Sequence, residues 1–298
     1  IHTHGKGPGL YGRLLGWMLG IPVVHTFHGF QHKLLPVVQR WFYLFVENVL
    51  TLLTRHHIFV GNGEKNKAKV LMFLNDSNSS VVNNGIDLDS IQALPPAEEV
   101  LASLKLGPRE SIKIFGTLSR VSPEKGLDIL LEGFVEAAKR APYIRLLVIG
   151  DCPGEHEKYI KMITQYIHEN GLDDAVKILG AREDALEILK SIDFYISPSR
   201  SEGLPYNLLE ALAVGKPVMA TDIPGNNDII RKSVEGILVP VNSARTLAHG
   251  ILTLLELGPE EQKAMRQNGK VRIRDEFSLN LMSEKTFSIY KKVLEGVI

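Results

Sequence analysis

The sequence predicts an α/β chain of two doubly wound parallel-sheet domains, the first of them incomplete. Three observations predict it. Short apolar runs alternate with helical patterns along the whole chain, as in a parallel sheet with helices on both faces. At 298 residues the chain is long enough for two domains, each being roughly 100–200 residues. The residue types that carry chemistry fall just after predicted strands, where doubly wound folds bind their ligands.

The first part reads as strands over residues 1–4, 23–27, 58–60 and 80–82, with helices over 10–19, 36–53 and 64–74. Asn84-Gly85 is a turn signal. The interdomain linker is placed between 87 and 107, where Pro95-Pro96 interrupts a mixed pattern. The first domain then covers 1–95 and the second 108–276, with a last helix in 277–298. The second part gives six strands, over 112–117, 145–149, 176–179, 194–196, 218–220 and 236–239. Helices follow them over 127–138, 157–169, 185–190, 206–213, 244–257, 259–274 and 279–294.

Lys+Arg and Asp+Glu both number 34, so no overall field draws the chain onto nucleic acid. Residues 1–95 hold eight Lys/Arg against five Asp/Glu and seven of the ten histidines, a mild preference for an anionic partner. Cys152 is the only cysteine. That excludes an intrachain disulfide and fits a reducing compartment. The longest apolar stretch, 34–53, is interrupted by Gln39, Arg40, Glu47 and Asn48. Each charge near a bilayer centre costs ~2.5–3.5 kcal/mol, so the stretch reads as a core helix rather than a span. The sharper reading is a helix lying on a membrane face, with Arg40 and Arg55 at the headgroups.

Two constellations carry chemistry. In the first, Gly116-Thr117-Leu118-Ser119-Arg120 leads to Pro123-Glu124-Lys125-Gly126. A strand ends, a loop supplies two cations, and a helix opens. That is a place for a polyanion. The plain alternative is a solvated loop whose cations pair with Glu124 and Asp128. In the second, Pro198-Ser199-Arg200-Ser201-Glu202-Gly203-Leu204-Pro205 precedes the helix from Tyr206, which carries Glu210. Gly203 clears space for a ligand to approach the backbone. Pro205 suits a helix start. Two carboxylates beside a phosphate-seeking loop can accept from vicinal sugar hydroxyls.

Other signals are weaker. Gly7-Pro8-Gly9-Leu10-Tyr11-Gly12 matches a dinucleotide fingerprint, but no acidic residue follows at the next strand end. It reads as a close-packed loop entering a helix. His2, His4, His25, His28 and His32 lack a carboxylate or thiol to complete a metal set. No metal is expected. His56-His57 reads as surface or strand edge, and Cys152 as a packed thiol.

Taken together, these residues resemble a family. Glu202, seven residues, then Glu210 is similar to the signature of retaining GT-B glycosyltransferases. Ser-Glu-Gly-Leu-Pro followed by Leu-Leu-Glu-Ala-Leu-Ala resembles family four of that class. Arg120, Lys125, Thr221-Asp222-Ile223-Pro224-Gly225, Asn84-Gly85-Ile86-Asp87, His4 and the run His25-Thr26-Phe27-His28-Gly29-Phe30 match as well. The resemblance covers nearly the whole chain. It implies a metal-free transfer from a nucleoside-diphosphate sugar, a UDP-sugar being favoured, to an acceptor hydroxyl.

It also implies roles. Arg120 and Lys125 neutralise the leaving diphosphate, and Glu210 holds the ribose. Glu202 holds the transferred sugar, with Gly203, Leu204 and Pro205 beside it. His28 reaches the donor sugar. Ser119, Gly150, Ala181 and Arg182 line the nucleotide pocket. The first domain is the acceptor side, and 277–298 crosses back to it. The expected acceptor is a saccharide or lipid-linked saccharide in surface-polysaccharide or glycolipid assembly. The expected location is cytoplasmic, with peripheral contact at the inner face of the membrane.

The family's first domain begins with three further strands, so the natural protein is expected to carry ~80 residues more, with 1–4 then forming an exposed edge strand. A nucleotide-sugar-binding fragment without activity is the alternative function. A glycosidase using Glu202 and Glu210 has no use for the two cations. An epimerase needs the fingerprint rejected above.

Overall fold

A computed structural model describes residues 1–29 and 36–297. Phe30, His32 and the start of the 34–53 apolar run lie outside the described residues. The chain divides into two compact units: Ile1–Ile86 with Glu202–Pro205 and Glu276–Ile298, and Asp87–Ser201 with Tyr206–Asp275.

The first unit runs β1 (His2–His4), α1 (Lys6–Leu19), β2 (Val24–Phe27), α2 (Val37–Leu52), β3 (His56–Phe59), α3 (Asn62–Leu71) and β4 (Ser79–Val81). Its four strands are parallel, in the order β1-β2-β3-β4. Strand alternation divides the core between the two faces. On one, Phe27 and Phe59 stack with ring centroids 5.1 Å apart and meet Tyr43 of α2 and Ala68 of α3. On the other, Val24, Ile58 and Val82 pack against Ile289 and Val293.

The glycines of α1 are explained by packing. A Cβ at Gly12 would stand 2.2 Å from Thr3 Cγ2, and one at Gly16 2.2 Å from Val23 Cγ2. Gly9, Gly12 and Gly16 therefore let the helix lie directly on β1 and β2. This corrects the loop reading of Gly7 to Gly12, since the helix already begins at Lys6. His56-His57 is corrected as well. Both are buried, in an interior strand. Burial pushes the His57 imidazole down to about 3, so it stays neutral. Nearby, Arg13 is wholly buried and donates to Glu47 Oε2 at 2.9 Å and to the Gly9 carbonyl at 2.8 Å.

The second unit opens with α4 (Leu88–Ala93) and α5 (Glu98–Ser103). Residues 87–107 are thus partly helical and belong with this unit. There follow β5 (Lys113–Leu118), α6 (Leu127–Arg140), β6 (Ile144–Ile149), α7 (Glu157–Glu169), β7 (Val176–Gly180), α8 (Ala185–Ser191), β8 (Phe194–Ser197), α9 (Tyr206–Ala213), β9 (Val218–Thr221), α10 (Asn226–Ile229), β10 (Gly236–Val239), α11 (Ala244–Glu256) and α12 (Pro259–Glu276). The six strands are parallel, in the order β10-β9-β8-β5-β6-β7.

The order reverses between β5 and β8, so the crevice beyond their carboxyl ends is the expected ligand position. One face is closed by α6 and α11, which pack closely because a Cβ at Gly133 would lie 2.8 Å from the Ala244 carbonyl oxygen. Phe115, Leu131, Phe134, Leu146 and Phe194 fill the layer beneath. Burying each such side chain contributes ~1.5–3 kcal/mol.

The last helix, α13 (Leu279–Leu294), returns to the first unit. Ile86 bridges to Ser278, and a Cβ at Gly85 would stand 2.5 Å from the Ser278 carbonyl oxygen.

Candidate functional site

In the second unit, β5 and β8 lie side by side, so the loops that leave them meet. Each leads into a helix, α6 and α9, whose unpaired N–H groups and positive dipole end favour an anion. The loop after β5 carries Ser119, Arg120 and Lys125. Arg120 is exposed and 3.8 Å from Glu124. At that distance the pair is a weak surface contact.

The two loops are bound to each other by Arg200. Its guanidinium donates to both carboxylate oxygens of Asp128 at 2.8 Å, to Asn242 Oδ1 at 2.7 Å and to the Pro123 carbonyl. Its backbone N–H donates to the Glu124 carbonyl at 2.8 Å. Tyr159 adds a hydrogen bond to Asp128 at 2.9 Å. Burial works against ionising Asp128, but the Arg200 and Tyr159 hydrogen bonds outweigh it and hold the carboxyl below its usual range. So Asp128 is the partner of Arg200, not of Arg120 or Lys125 as the solvated-loop alternative supposed. Gly126 completes the join. It has φ +68°, and a Cβ there would lie 2.3 Å from the Pro198 carbonyl oxygen.

Backbone bonds draw in the neighbouring loops. Ser119 N–H donates to Ile149, Val121 N–H to Asp151 and Gly150 N–H to Gly180. A Cβ on Gly150 would lie 2.0 Å from the Ser119 carbonyl oxygen. Asn207, in the first turn of α9, donates to the Leu118 carbonyl at the end of β5. Arg182 follows β7, and Asp184 engages its guanidinium through two bonds, of 2.7 and 2.6 Å.

Glu210 lies one turn into α9 and is half-buried. Burial raises its pKa. Among the described residues its carboxylate has neither an ion pair nor a hydrogen-bond donor. Partly desolvated carboxylates without a partner are uncommon unless a ligand supplies the donors.

The remaining candidates belong to the first unit. Gly203 sits so close to the His28 backbone that a Cβ would be 2.1 Å from its carbonyl oxygen. The space it clears is filled by this backbone, which replaces the ligand approach expected from sequence. Asn84 donates to the Leu204 carbonyl at 2.8 Å. Glu202 and Pro205 share this loop. His28 Nε2 lies 2.9 Å from His4 Nδ1, with the rings stacked. Burial, then the proximity of His4, lowers the His28 pKa, so it is neutral at pH 7 and able to hydrogen-bond a hydroxyl. His2 contacts Tyr290 of α13 and Thr26. No group of three or more His, Cys, Asp or Glu able to hold a metal occurs among the described residues. Cys152 is half-buried, its sulfur near the carbonyls of Pro153 and His156.

Sequence reasoning gave Arg200 no role, named Asp128 only as a partner of the loop cations, and missed Asn207 and Tyr159. No spacing rule joins Asp128 to Arg200, 72 residues apart.

Comparison with known proteins places these features in a family. The chain is 28% identical over 312 residues to the UDP-Gal:alpha-D-GlcNAc-diphosphoundecaprenol alpha-1,3-galactosyltransferase of Escherichia coli, covering 98% of this chain and 72% of that one. It is 32% identical over 200 residues to a D-inositol 3-phosphate glycosyltransferase of a Mycobacterium species, covering 65% of this chain and 44% of that protein. Among solved structures, a glycosyltransferase of Rickettsia africae superposes with a TM-score of 0.85 at 24% identity, over 99% of this chain and 76% of that one. Anabaena HepE in complex with UDP gives 0.85 at 20%, over 98% and 78%. These two share the fold, which is GT-B. The model of Glycosyltransferase Family 4 matches residues 1–90. That of Glycosyl transferases group 1 matches residues 103–272, more than half of the chain, and the protein belongs to that family.

Proposed function

We propose that the chain is a retaining hexosyltransferase that moves a sugar from a nucleoside-diphosphate sugar to an acceptor hydroxyl. The observation that carries the reading is the crevice at the β5/β8 switch point. There two helix N-termini and a cation-bearing loop meet, and Glu210 has no ion-pair or hydrogen-bond partner among the described residues. A nucleoside diphosphate fits both demands, with phosphates for the cations and ribose hydroxyls for the carboxylate.

In this reading Arg120 and Lys125 meet the diphosphate, Glu210 the ribose, and Ser119, Gly150 and Arg182 the nucleotide. Glu202 and His28 hold hydroxyls of the transferred sugar, beside Gly203, Leu204 and Pro205. The acceptor oxygen forms a bond to the anomeric carbon while the bond from that carbon to the phosphate oxygen breaks. The acceptor proton passes to the departing diphosphate on the same face, which retains configuration. Charge builds on the leaving phosphate, where fixed cations lower the barrier. Losing one such group costs ~10²–10³ in rate. No metal or other cofactor has a role.

UDP is the favoured diphosphate. The acceptor is a saccharide or lipid-linked saccharide of surface-polysaccharide or glycolipid assembly. The enzyme works in the cytoplasm, in peripheral contact with the inner face of the membrane.

Calorimetric titration with UDP, GDP and ADP tests the reading, with Arg120→Ala and Glu210→Ala alongside. One diphosphate binds at micromolar level, and both variants weaken it. A folded chain that binds none of the three overturns the proposal.

A further inference from the structure

The first unit carries an apolar surface with an unusual charge pattern. On α2, Val38, Trp41, Phe42, Phe45, Val49 and Leu52 are all exposed, Trp41 by 71%. At 100° per residue they fall within an arc of roughly 100°, and no charged residue lies among them. The neighbouring α1 exposes Tyr11, Leu15, Trp17 and Met18, with Trp17 at 65%. Trp17 and Leu52 line one cleft of about 720 Å³ together with Arg55 and Val293, so the two faces are continuous at their carboxyl ends. The second unit has no counterpart. Its exposed large apolar side chains are Tyr143, Met162, Tyr206, Val234 and Val241, scattered over different elements.

Charge selects the occupant. Residues 1–75 contain two acidic side chains, Glu47 and Glu64. Both are buried, paired with Arg13 and Lys67. Arg55 is exposed and lines the cleft with Trp17 and Leu52, whereas Lys6 lies over the Tyr43 ring and half-buried Arg40 is on the opposite side of α2 from the stripe. The α1–α2 surface therefore shows aromatic rings to solvent, with Arg55 at its carboxyl end and no carboxylate. Apolar faces with tryptophan, phenylalanine and flanking basic groups settle into the headgroup region of a bilayer. Anionic lipid adds attraction for each nearby cation. No helix of the described residues is long and apolar enough to cross a membrane, which leaves binding in the plane of the interface.

We propose that the outer faces of α1 and α2 form a docking surface for an anionic lipid bilayer. The proposal gives the membrane contact of the proposed function a defined location. It does not depend on transferase activity, and its test has a separate readout.

Both tryptophans of the chain, Trp17 and Trp41, lie on this surface, so selectively excited tryptophan fluorescence reports it alone. The full chain is mixed with vesicles holding about one third phosphatidylglycerol in phosphatidylcholine, and with pure phosphatidylcholine vesicles. The expected result is co-flotation with the anionic vesicles and a blue-shifted, lipid-quenched emission, several-fold weaker on phosphatidylcholine. The exposed double substitution Trp41→Glu with Phe45→Glu lowers vesicle binding about tenfold or more and leaves UDP binding unchanged. Absence of flotation, equal binding by the double variant, or equal binding to both vesicle types overturns the proposal. So does a lipid-free dimer that this double variant makes monomeric, since a second copy would then be the occupant.

Discussion

The bridge made by Arg200 gives the sharpest test of how the crevice is built. Replacing Arg200 with Leu removes four side-chain hydrogen bonds, two to Asp128 and one each to Asn242 and Pro123. Deeply buried charge-assisted bonds are worth ~1.5–3 kcal/mol each. The side chains of Arg200 and Asp128 are 29% and 31% exposed, so the pair lies nearer the surface range of ~0.2–1 kcal/mol. A total of about 2 kcal/mol follows for the set. The groups it joins are the loop bearing Arg120 and Lys125 and the loop after β8. The loss should therefore appear mainly as an unfixed phosphate loop. At 1.4 kcal/mol per tenfold, UDP affinity falls roughly tenfold to thirtyfold, with only a few degrees lost from the melting temperature. Arg200→Lys keeps the charge without the planar fork and falls in between. Calorimetry beside thermal unfolding reads both quantities. If the folded Leu variant binds UDP within twofold of the parent, the bridge does not position the loop and this reasoning fails.

Four further outcomes are expected. Glu210→Gln weakens UDP binding about tenfold or more yet raises stability at pH 8 by roughly 0.5 kcal/mol, because ionising a half-buried, unpartnered carboxyl costs energy; melting curves with and without UDP separate the two effects. Glu47→Gln leaves the Arg13 guanidinium buried without its counter-charge and costs about 3–5 kcal/mol in denaturant unfolding. His25 and His57 are held neutral by burial, at about 2 and about 3. The unfolded chain takes up their protons near pH 6.5, so their contribution is complete above that pH and is lost as pH falls toward 3. The expected slope is about 1.4 kcal/mol per pH unit for each histidine, and His57→Gln should make the stability profile shallower. Gly126→Ala strains a left-handed backbone and meets the Pro198 carbonyl. It should cost about 1–3 kcal/mol and weaken UDP binding in the same titration.

Periodicity and strand-end chemistry made much of the fold legible. The apolar runs that became β5 to β10 are short, β-branched and bounded by Gly or Pro, and tertiary packing had no reason to override them. Helix starts were harder. Residues 7 to 9 are Gly-Pro-Gly, poor helix formers by propensity. Gly9 fits because a Cβ there would stand 2.5 Å from His25 Cε1, a contact that only the packed structure shows. His57 was misplaced for a similar reason. A histidine looks polar in sequence, but on an interior strand it faces Phe27 and Arg13 and stays uncharged. At the candidate site, Arg120, Lys125 and Glu210 stood out because each sits near a helix start after a strand. The bridge from Asp128 to Arg200 depends on two strands being neighbours, and adjacency in a sheet is not written in residue spacing.

The return of the chain to its beginning has a consequence for synthesis. Ile289 and Val293 fill one face of the first sheet, and Ser278 closes the end of that sheet at Ile86. These residues are translated after the whole second unit. The first unit therefore lacks part of its core until residues 278–293 are made, whereas residues 87–275 can complete their sheet earlier. Ribosome-bound intermediates would carry a folded second unit beside an open first one, its apolar helices exposed to chaperones. A stop codon just before residue 278 would then damage residues 1–86 most.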